Sequence, residues 1–327
     1  MTFYRNLVLA ALILAFTMVG LGTYARQSGP GVGCSDWPDC YGKPVPHQTA
    51  GAGNTEFGAR LDGPVSRSRT WKQTAHLYLA GSLGGLLALI AVLNWRGRRE
   101  TQGGLGLPLL LLALMAFQAL LSVGGATPVA RPLVDGLHRL GGMATFALLL
   151  WLWLRERPQF SHAYFARADH LRSGAMIGLL LVIAQIALGG WVSTNYAALA
   201  CSDFPLCQGR WVPLMDFANG FALLRGQGET TPDTALPMAA LTAIHWTHRL
   251  MALMVTLYLG GLMLRLMRSP GYVDLGLMVG ALLALQWVLG LSYFFTGLPL
   301  VLTMAHSAGA ALLLSSMVLL NYRIRRR

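Results

Sequence analysis

Residues 241–264 read LTAIHWTHRLMALMVTLYLGGLML. As a helix rising 1.5 Å per residue this stretch is about 36 Å long, enough to cross about 30 Å of hydrocarbon. It carries His245, His248 and Arg249 close to its start. Polar groups at such positions are costly and tend to face the interior of a bundle, so they mark a functional site by default.

Similar runs of about 20 mostly apolar residues occur at 6–24, 74–94, 104–124, 135–154, 173–195, 275–294 and 299–320. Of the 327 residues, 54% are hydrophobic and 12% charged, a composition that would leave a soluble domain with large exposed apolar patches. The expected fold is all-α and integral to a membrane, with eight transmembrane helices. The first run is too long for a cleaved signal, and no small-residue cleavage site precedes Cys34, so it reads as a true span.

A net charge of +12 would suit a nucleic-acid binder, but its distribution argues otherwise. Arg5, Arg96, Arg98, Arg99, Arg155, Arg157, Arg167, Arg172, Arg265, Arg268 and the tail Arg323, Arg325, Arg326 and Arg327 fall at the two termini and in alternate short loops. The positive-inside rule makes those segments cytoplasmic. Basic residues in the long first loop do not overturn this, because long segments translocate largely regardless of charge. Both termini are expected inside and both cysteine-bearing loops outside, with lipid rather than nucleic acid as the surrounding partner.

The pattern repeats. In each half a span runs into a long outer loop with C-x5-C, followed by a span with a histidine near its outer end, a plain span, and a span with another outer-end histidine. Gln118 precedes His138 by 20 residues, and Gln286 precedes His306 by 20. Such self-similarity predicts two pseudo-symmetric four-helix bundles, residues 1–160 and 161–327, with the loops after the first and fifth spans as lids. Gly, Pro and polar residues predict irregular structure in those loops.

His76, His138, His248 and His306 occupy matched positions, and four places on from each stands Ala80, Gly142, Ala252 or Ala310. Residues i and i+4 share a helix face. A small residue beside an imidazole leaves room for a flat, bulky group such as a porphyrin, its iron held by two axial histidines. Packing histidines, a proton relay or a bare metal site are the alternatives. No carboxylate, thiol or methionine cluster accompanies the histidines to favour bare copper or zinc. His245, one turn before His248, and Gln73, in the matching place before His76, read as groups that line the pocket and orient a ligand. Arg139 and Arg249 each follow a candidate ligand, where they would reach haem propionates or snorkel to lipid phosphate. His47, His162 and His170 are expected in loops.

The chain has four cysteines. On the outer face of a bacterial membrane disulfides persist, and Pro38 and Pro205 favour turns that bring each pair together. Cys34 is expected to pair with Cys40 and Cys201 with Cys207, as structural staples or as redox-active bonds. Zinc held by all four thiolates would need a different spacing.

These residues resemble the haem A synthase family. The likeness rests on GCSDWPDCYG at 33–42, CSDFPLCQG at 201–209, and the LHRLGG, IHWTHRLMA and MAHSAGAALLL segments around His138, His248 and His306. It implies an oxidoreductase of the bacterial inner membrane that converts the C8 methyl of haem O to the formyl of haem A by successive hydroxylations, for terminal oxidase maturation. By position, His76 and His138 would flank the substrate haem O as catalytic ligands, and His248 and His306 would hold a permanent haem b. The haem O synthase that supplies the substrate, an electron donor or acceptor and a second copy of the chain would be partners. The family usually has Glu three residues before the first histidine and Arg directly after it, where this chain has Gln73 and Leu77, so a proton-handling carboxylate would have to come from elsewhere, with Glu56 and Asp62 as candidates. A bis-histidine di-haem cytochrome b that only carries electrons is the rival reading. A transporter ranks below both, because the spans lack matched Gly/Pro breaks at mid-depth.

Overall fold

A computed structural model describes residues 2–27, 64–97, 104–123, 130–156, 169–224, 236–297 and 299–325. Its helices are α1 (Thr2–Gln27), α2 (Pro64–Arg96), α3 (Gly106–Val123), α4 (Arg131–Arg155), α5 (Asp169–Thr194), the single-turn α6 (Phe217–Gly220), α7 (Met238–Met267), α8 (Val273–Thr296) and α9 (Leu300–Arg325). Among the described residues no strand forms, only an isolated bridge between Cys207 and Arg210.

Seven of these helices, all but α3 and α6, are long and apolar enough to cross a membrane. The expected run at 104–124 is helical as α3, but its apolar stretch, Gly106–Ser122, is shorter than the others. The helix opens beside Gly104 and Gly106, which weaken its start. Pro132 lies in the first turn of α4, where its missing N–H costs nothing. Gly297, at φ 66°, ends α8 in a conformation that residues with a Cβ seldom adopt.

Packing follows a cyclic order in each half. Helix α1 packs on α2 and α4, and α3 on α2 and α4. Likewise α5 packs on α7 and α9, and α8 on α7 and α9. Among the described residues neither α2 and α4 nor α7 and α9 make backbone-close contact, so each of these pairs faces across its ring of helices. The halves meet where α9 and α5 pack on α4, and α9 on α1. One core gathers Val8, Ala11, Leu83, Ile90, Leu111, Phe146 and Leu149, and a larger one Leu171, Leu259, Leu266, Leu275, Met317 and Leu320. Helices α5 and α9 approach closely at Gly178, where an added Cβ would lie 2.7 Å from Cε of Met317.

The arginine-bearing helix ends lie together. Asn94 near the end of α2 donates to the Tyr4 hydroxyl at the start of α1. Tyr322 donates to the Leu154 carbonyl at 2.7 Å, and Asn321 to the Ala175 carbonyl at 2.8 Å. Arg323 pairs with Asp274 at 3.1 Å. His170, expected in a loop, is exposed in the first turn of α5.

Candidate functional site

The histidines lie toward the opposite end. His76 on α2 and His138 on α4 face each other across the first ring of helices, with ring centres 6.0 Å apart and planes inclined by 59°. Helix α3 sets the register of α4 beneath them. Gln118 donates from Nε2 to Thr145 Oγ1 at 3.0 Å, and Thr145 donates to the Gly141 carbonyl at 2.9 Å. Gly141, one turn past His138, is what admits the glutamine, since a Cβ there would lie 3.0 Å from Gln118 Cγ.

The second ring uses the same parts. Gln286 on α8 donates to the His306 carbonyl at 3.3 Å and fills the notch at Gly309, one turn past His306. Two further glycines face the imidazoles themselves. A Cβ at Gly189 on α5 would lie 3.2 Å from Cε1 of His248, and one at Gly290 on α8 would lie 3.6 Å from Cε1 of His306. Tyr293 sets its ring edge-on to His306 at 5.8 Å, its hydroxyl donating to the Leu302 carbonyl. Nδ1 of His306 is buried and has no hydrogen-bond partner among the described residues. Against His248 lies the Gln185 carboxamide of α5, its Nε2 at 3.2 Å from Nδ1, 3.4 Å from Nε2 and 3.3 Å from the histidine's own carbonyl oxygen.

Over the start of α7 sits the loop that follows α5. Cys201 and Cys207 form a disulfide in it, within a turn that includes the cis peptide Phe204–Pro205. Asp203 closes the turn by accepting from the backbone N–H groups of Gln208 and Gly209 at 2.6 and 2.8 Å. Thr242, His245 and Arg249, at i, i+3 and i+7, share one face of α7, and all three hold the loop. Thr242 accepts from Gln208 at 2.9 Å. His245, 8% exposed, accepts at Nδ1 from the Cys201 backbone N–H at 3.3 Å. Arg249 donates three hydrogen bonds of 2.9 Å to the carbonyls of Cys201, Asp203 and Leu206. Beyond the disulfide, Trp191 donates to the Gly220 carbonyl of α6 at 2.9 Å.

The structure brings His76 to His138 and turns His245 to the disulfide loop. Arg249 donates its three hydrogen bonds to carbonyls of that loop. Arg139 likewise reaches from α4 to the Gly190 carbonyl of α5 at 3.3 Å, bridging the two halves. Cys34, Cys40, His47, Glu56, Asp62 and His162 lie outside the described residues, as does the side chain of Gln73. Gln185, Gly189, Gly290 and Tyr293 were not singled out by the sequence. The two glycines carried a signal, each standing on the helix before a histidine span, but glycines are common wherever membrane helices pack.

The spacing of the first pair fits a metal-centred group. Two axial bonds of about 2 Å, each extended by about 1 Å from nitrogen to ring centre, put imidazole centres about 6 Å apart across one metal atom. In the second ring, glycines beside both imidazoles and a buried His306 nitrogen free to donate or to ligate fit the same kind of group. Among the described residues no group of three or more His, Cys, Asp or Glu forms a bare metal site.

A family model described as COX15-CtaA, cytochrome oxidase assembly protein, matches residues 5–318. A protein of Shewanella oneidensis named haem A synthase is 36% identical over 312 residues, covering 95% of this chain and 93% of its own. A haem A synthase of a Methylobacterium species is 28% identical over 338 residues, covering 95% and 88%. One of Bacillus cereus is 23% identical over 308 residues, covering 92% and 86%.

Proposed function

Because the chain belongs to the COX15-CtaA family, whose relatives bear the name haem A synthase, we propose that this multi-pass membrane enzyme oxidises the C8 methyl of haem O to the formyl of haem A by successive hydroxylations through an alcohol. The single observation that carries the reading is the approach of His76 and His138 to 6.0 Å from two helices whose described backbones make no close contact. Substrate haem O sits between them in residues 1–160, and a permanent haem b sits between His248 and His306 in residues 161–327. The two halves are pseudo-symmetric four-helix bundles in a bacterial plasma membrane, with termini inside and cysteine loops outside. Haem O synthase supplies the substrate, and a separate redox protein exchanges electrons.

A porphyrin methyl is inert, so the iron supplies the oxidising power and the protein supplies binding and orientation. His76 and His138 would hold the haem between them and so fix where its reacting methyl lies in the pocket. Gln118, wedged at Gly141, holds α4 in register, so the His138 ring keeps its height. The apolar walls of the ring of helices exclude water, which protects a reactive centre from side reactions.

The test measures haem in the four histidine variants of the purified full chain, by absorption spectrum, extraction and mass analysis. His248→Ala and His306→Ala should lose haem b, because each removes an axial ligand and leaves a cavity. His76→Ala and His138→Ala should keep haem b and stop conversion of haem O. Loss of haem b from the first pair with retention in the second would reverse the halves. Equal loss in all four, with haem returned chemically unchanged by the parent protein, would replace the enzyme by an electron carrier.

A further inference from the structure

The chain that follows α5 can be measured against α7 contact by contact. Asp216 donates its backbone N–H to the Ala239 carbonyl at 3.0 Å, near the start of that helix. Trp246 donates from its indole to the Trp211 carbonyl at 3.2 Å, and Arg249 donates to the Leu206 carbonyl at 2.9 Å. From Ala239 to Arg249 is ten residues, about 15 Å at 1.5 Å per residue. Side chains on α7 lean toward its start, so this ruler overstates the descent. Helix α8, which runs the opposite way, supplies a second ruler. Phe204 sets its ring edge-on to Trp287 at 6.2 Å. Trp287 stands six residues inside the apolar span Val273–Tyr293, about 9 Å, and leans deeper still. The disulfide turn therefore descends about 10 Å beside the two spans. With 30 residues, α7 is about 45 Å long against about 30 Å of hydrocarbon, so its first turns stand among headgroups. A descent of about 10 Å brings the turn to the edge of the acyl chains.

Irregular backbone at such depth is tolerated only where protein takes up its polar groups, and here it does. Arg249 serves the carbonyls of Cys201, Asp203 and Leu206, Gln208 serves that of Ala200, and His245 accepts the Cys201 N–H. Asp203 accepts the N–H groups of Gln208 and Gly209, and Cys207 and Arg210 exchange a pair of bonds. A loop in water could leave many of these groups to solvent at little cost. The side chains turned outward are apolar instead. Phe204, Trp211 and Val212 are 49%, 70% and 69% exposed, and Pro205 is exposed beside them, whereas Cys201 and Cys207 are almost wholly enclosed.

We propose that residues 201–212 form a re-entrant turn whose outward face is covered by phospholipid. Phe204 and Pro205 meet the upper acyl chains, and Trp211 lies at the headgroup boundary, where indoles gather. The turn is thus a membrane contact rather than a lid washed by water. The proposal rests on α7 and α8 crossing the membrane and is independent of the haem chemistry.

The experiment places the photoreactive residue p-benzoylphenylalanine at Phe204, at Trp211 or at Leu257, one position per preparation, in the full-length protein in phosphatidylcholine vesicles. Leu257 is 70% exposed near the middle of α7 and serves as the lipid-facing reference. After irradiation, mass analysis identifies what each position has captured. Phe204 and Trp211 should both yield phosphatidylcholine adducts, within about threefold of the yield at Leu257 because all three positions meet acyl chains or their boundary. Adducts to peptide would show that protein covers the turn, and no adduct while Leu257 reacts would show that water does. Either result overturns the proposal. Trp211, held by its carbonyl rather than its ring, decides the matter alone if the apex does not accept the larger side chain.

Discussion

Gln286 occupies the notch left by Gly309 one turn past His306, as Gln118 occupies the one left by Gly141 one turn past His138. The two contacts differ in what yields. At Gly141 a new Cβ would meet Gln118 Cγ at 3.0 Å, and the amide beyond it is tied to Thr145. At Gly309 it would meet the free end of Gln286, which can swing away at the loss of one hydrogen bond. Gly141→Ala should therefore cost about 1–3 kcal/mol through overpacking, and Gly309→Ala about 1 kcal/mol. Thermal unfolding in detergent measures both. Adding Gln286→Ala should relieve Gly309→Ala, and failure of that rescue would show that something other than the glutamine fills the notch.

Arg249→Ala removes three charge-assisted hydrogen bonds from the disulfide loop. Each such bond contributes on the order of 1.5–3 kcal/mol net. Amide exchange across 201–216 should accelerate at least tenfold, with the body of α7 unchanged. Arg249→Lys should restore only part of the protection, since an ammonium cannot span three carbonyls. Unchanged exchange in Arg249→Ala would mean that the disulfide alone holds the loop.

Cys201→Ser opens a short covalent ring, whose closure contributes about 2 kcal/mol by the chain-entropy account. The loop keeps its ties to Thr242, His245 and Arg249, so it should loosen without detaching. Combined with Arg249→Ala the loss of protection should exceed the sum of the two, because each restraint lowers the freedom that the other must remove. Simple additivity would argue for independent action.

Asp216 accepts from the Asn219 backbone and side chain at the start of α6, and these bonds hold its carboxyl below the ordinary carboxylate range. A depressed pKa means that its contribution is present above the unfolded value near 4 and fades as pH falls through the folded value. Exchange of the Asn219 amide should stay slow at neutral pH and rise only in acid below about pH 4. Asp216→Asn should flatten that dependence, and an equally steep response in the variant would assign the acid sensitivity elsewhere.

The sequence made the helices and the histidine register legible because both follow from periodicity. Apolar runs of membrane length have few alternatives, and a Gln twenty residues before a His, found twice, survives in three dimensions as one wedge used twice. The pairing of Cys201 with Cys207 was equally readable, since six residues leave little choice once Pro205 turns the chain. What sequence could not show are bonds to backbone carbonyls. Arg249 was read as reaching haem propionates or lipid phosphate, and nothing in its neighbourhood in sequence pointed to its bonds with carbonyls up to 48 residues away. No side-chain pattern announces such acceptors. Gln185 was hidden for a related reason, as one polar residue in an apolar run identifies its target only when the neighbouring helix is in place.

Helix α9 packs against α1, and its Ala311 is fully enclosed within the core that Val8, Ala11 and Leu12 begin. Of these two spans, the one that leaves the ribosome first thus waits for the other. With about 300 residues between them, and synthesis at about 5–20 residues per second, that wait lasts on the order of 15–60 s. Throughout it, α1 shows lipid, or a helper of the insertion machinery, a face destined for protein. The packing around α1 is thus completed by the arrival of α9, which makes the order of manufacture part of the design.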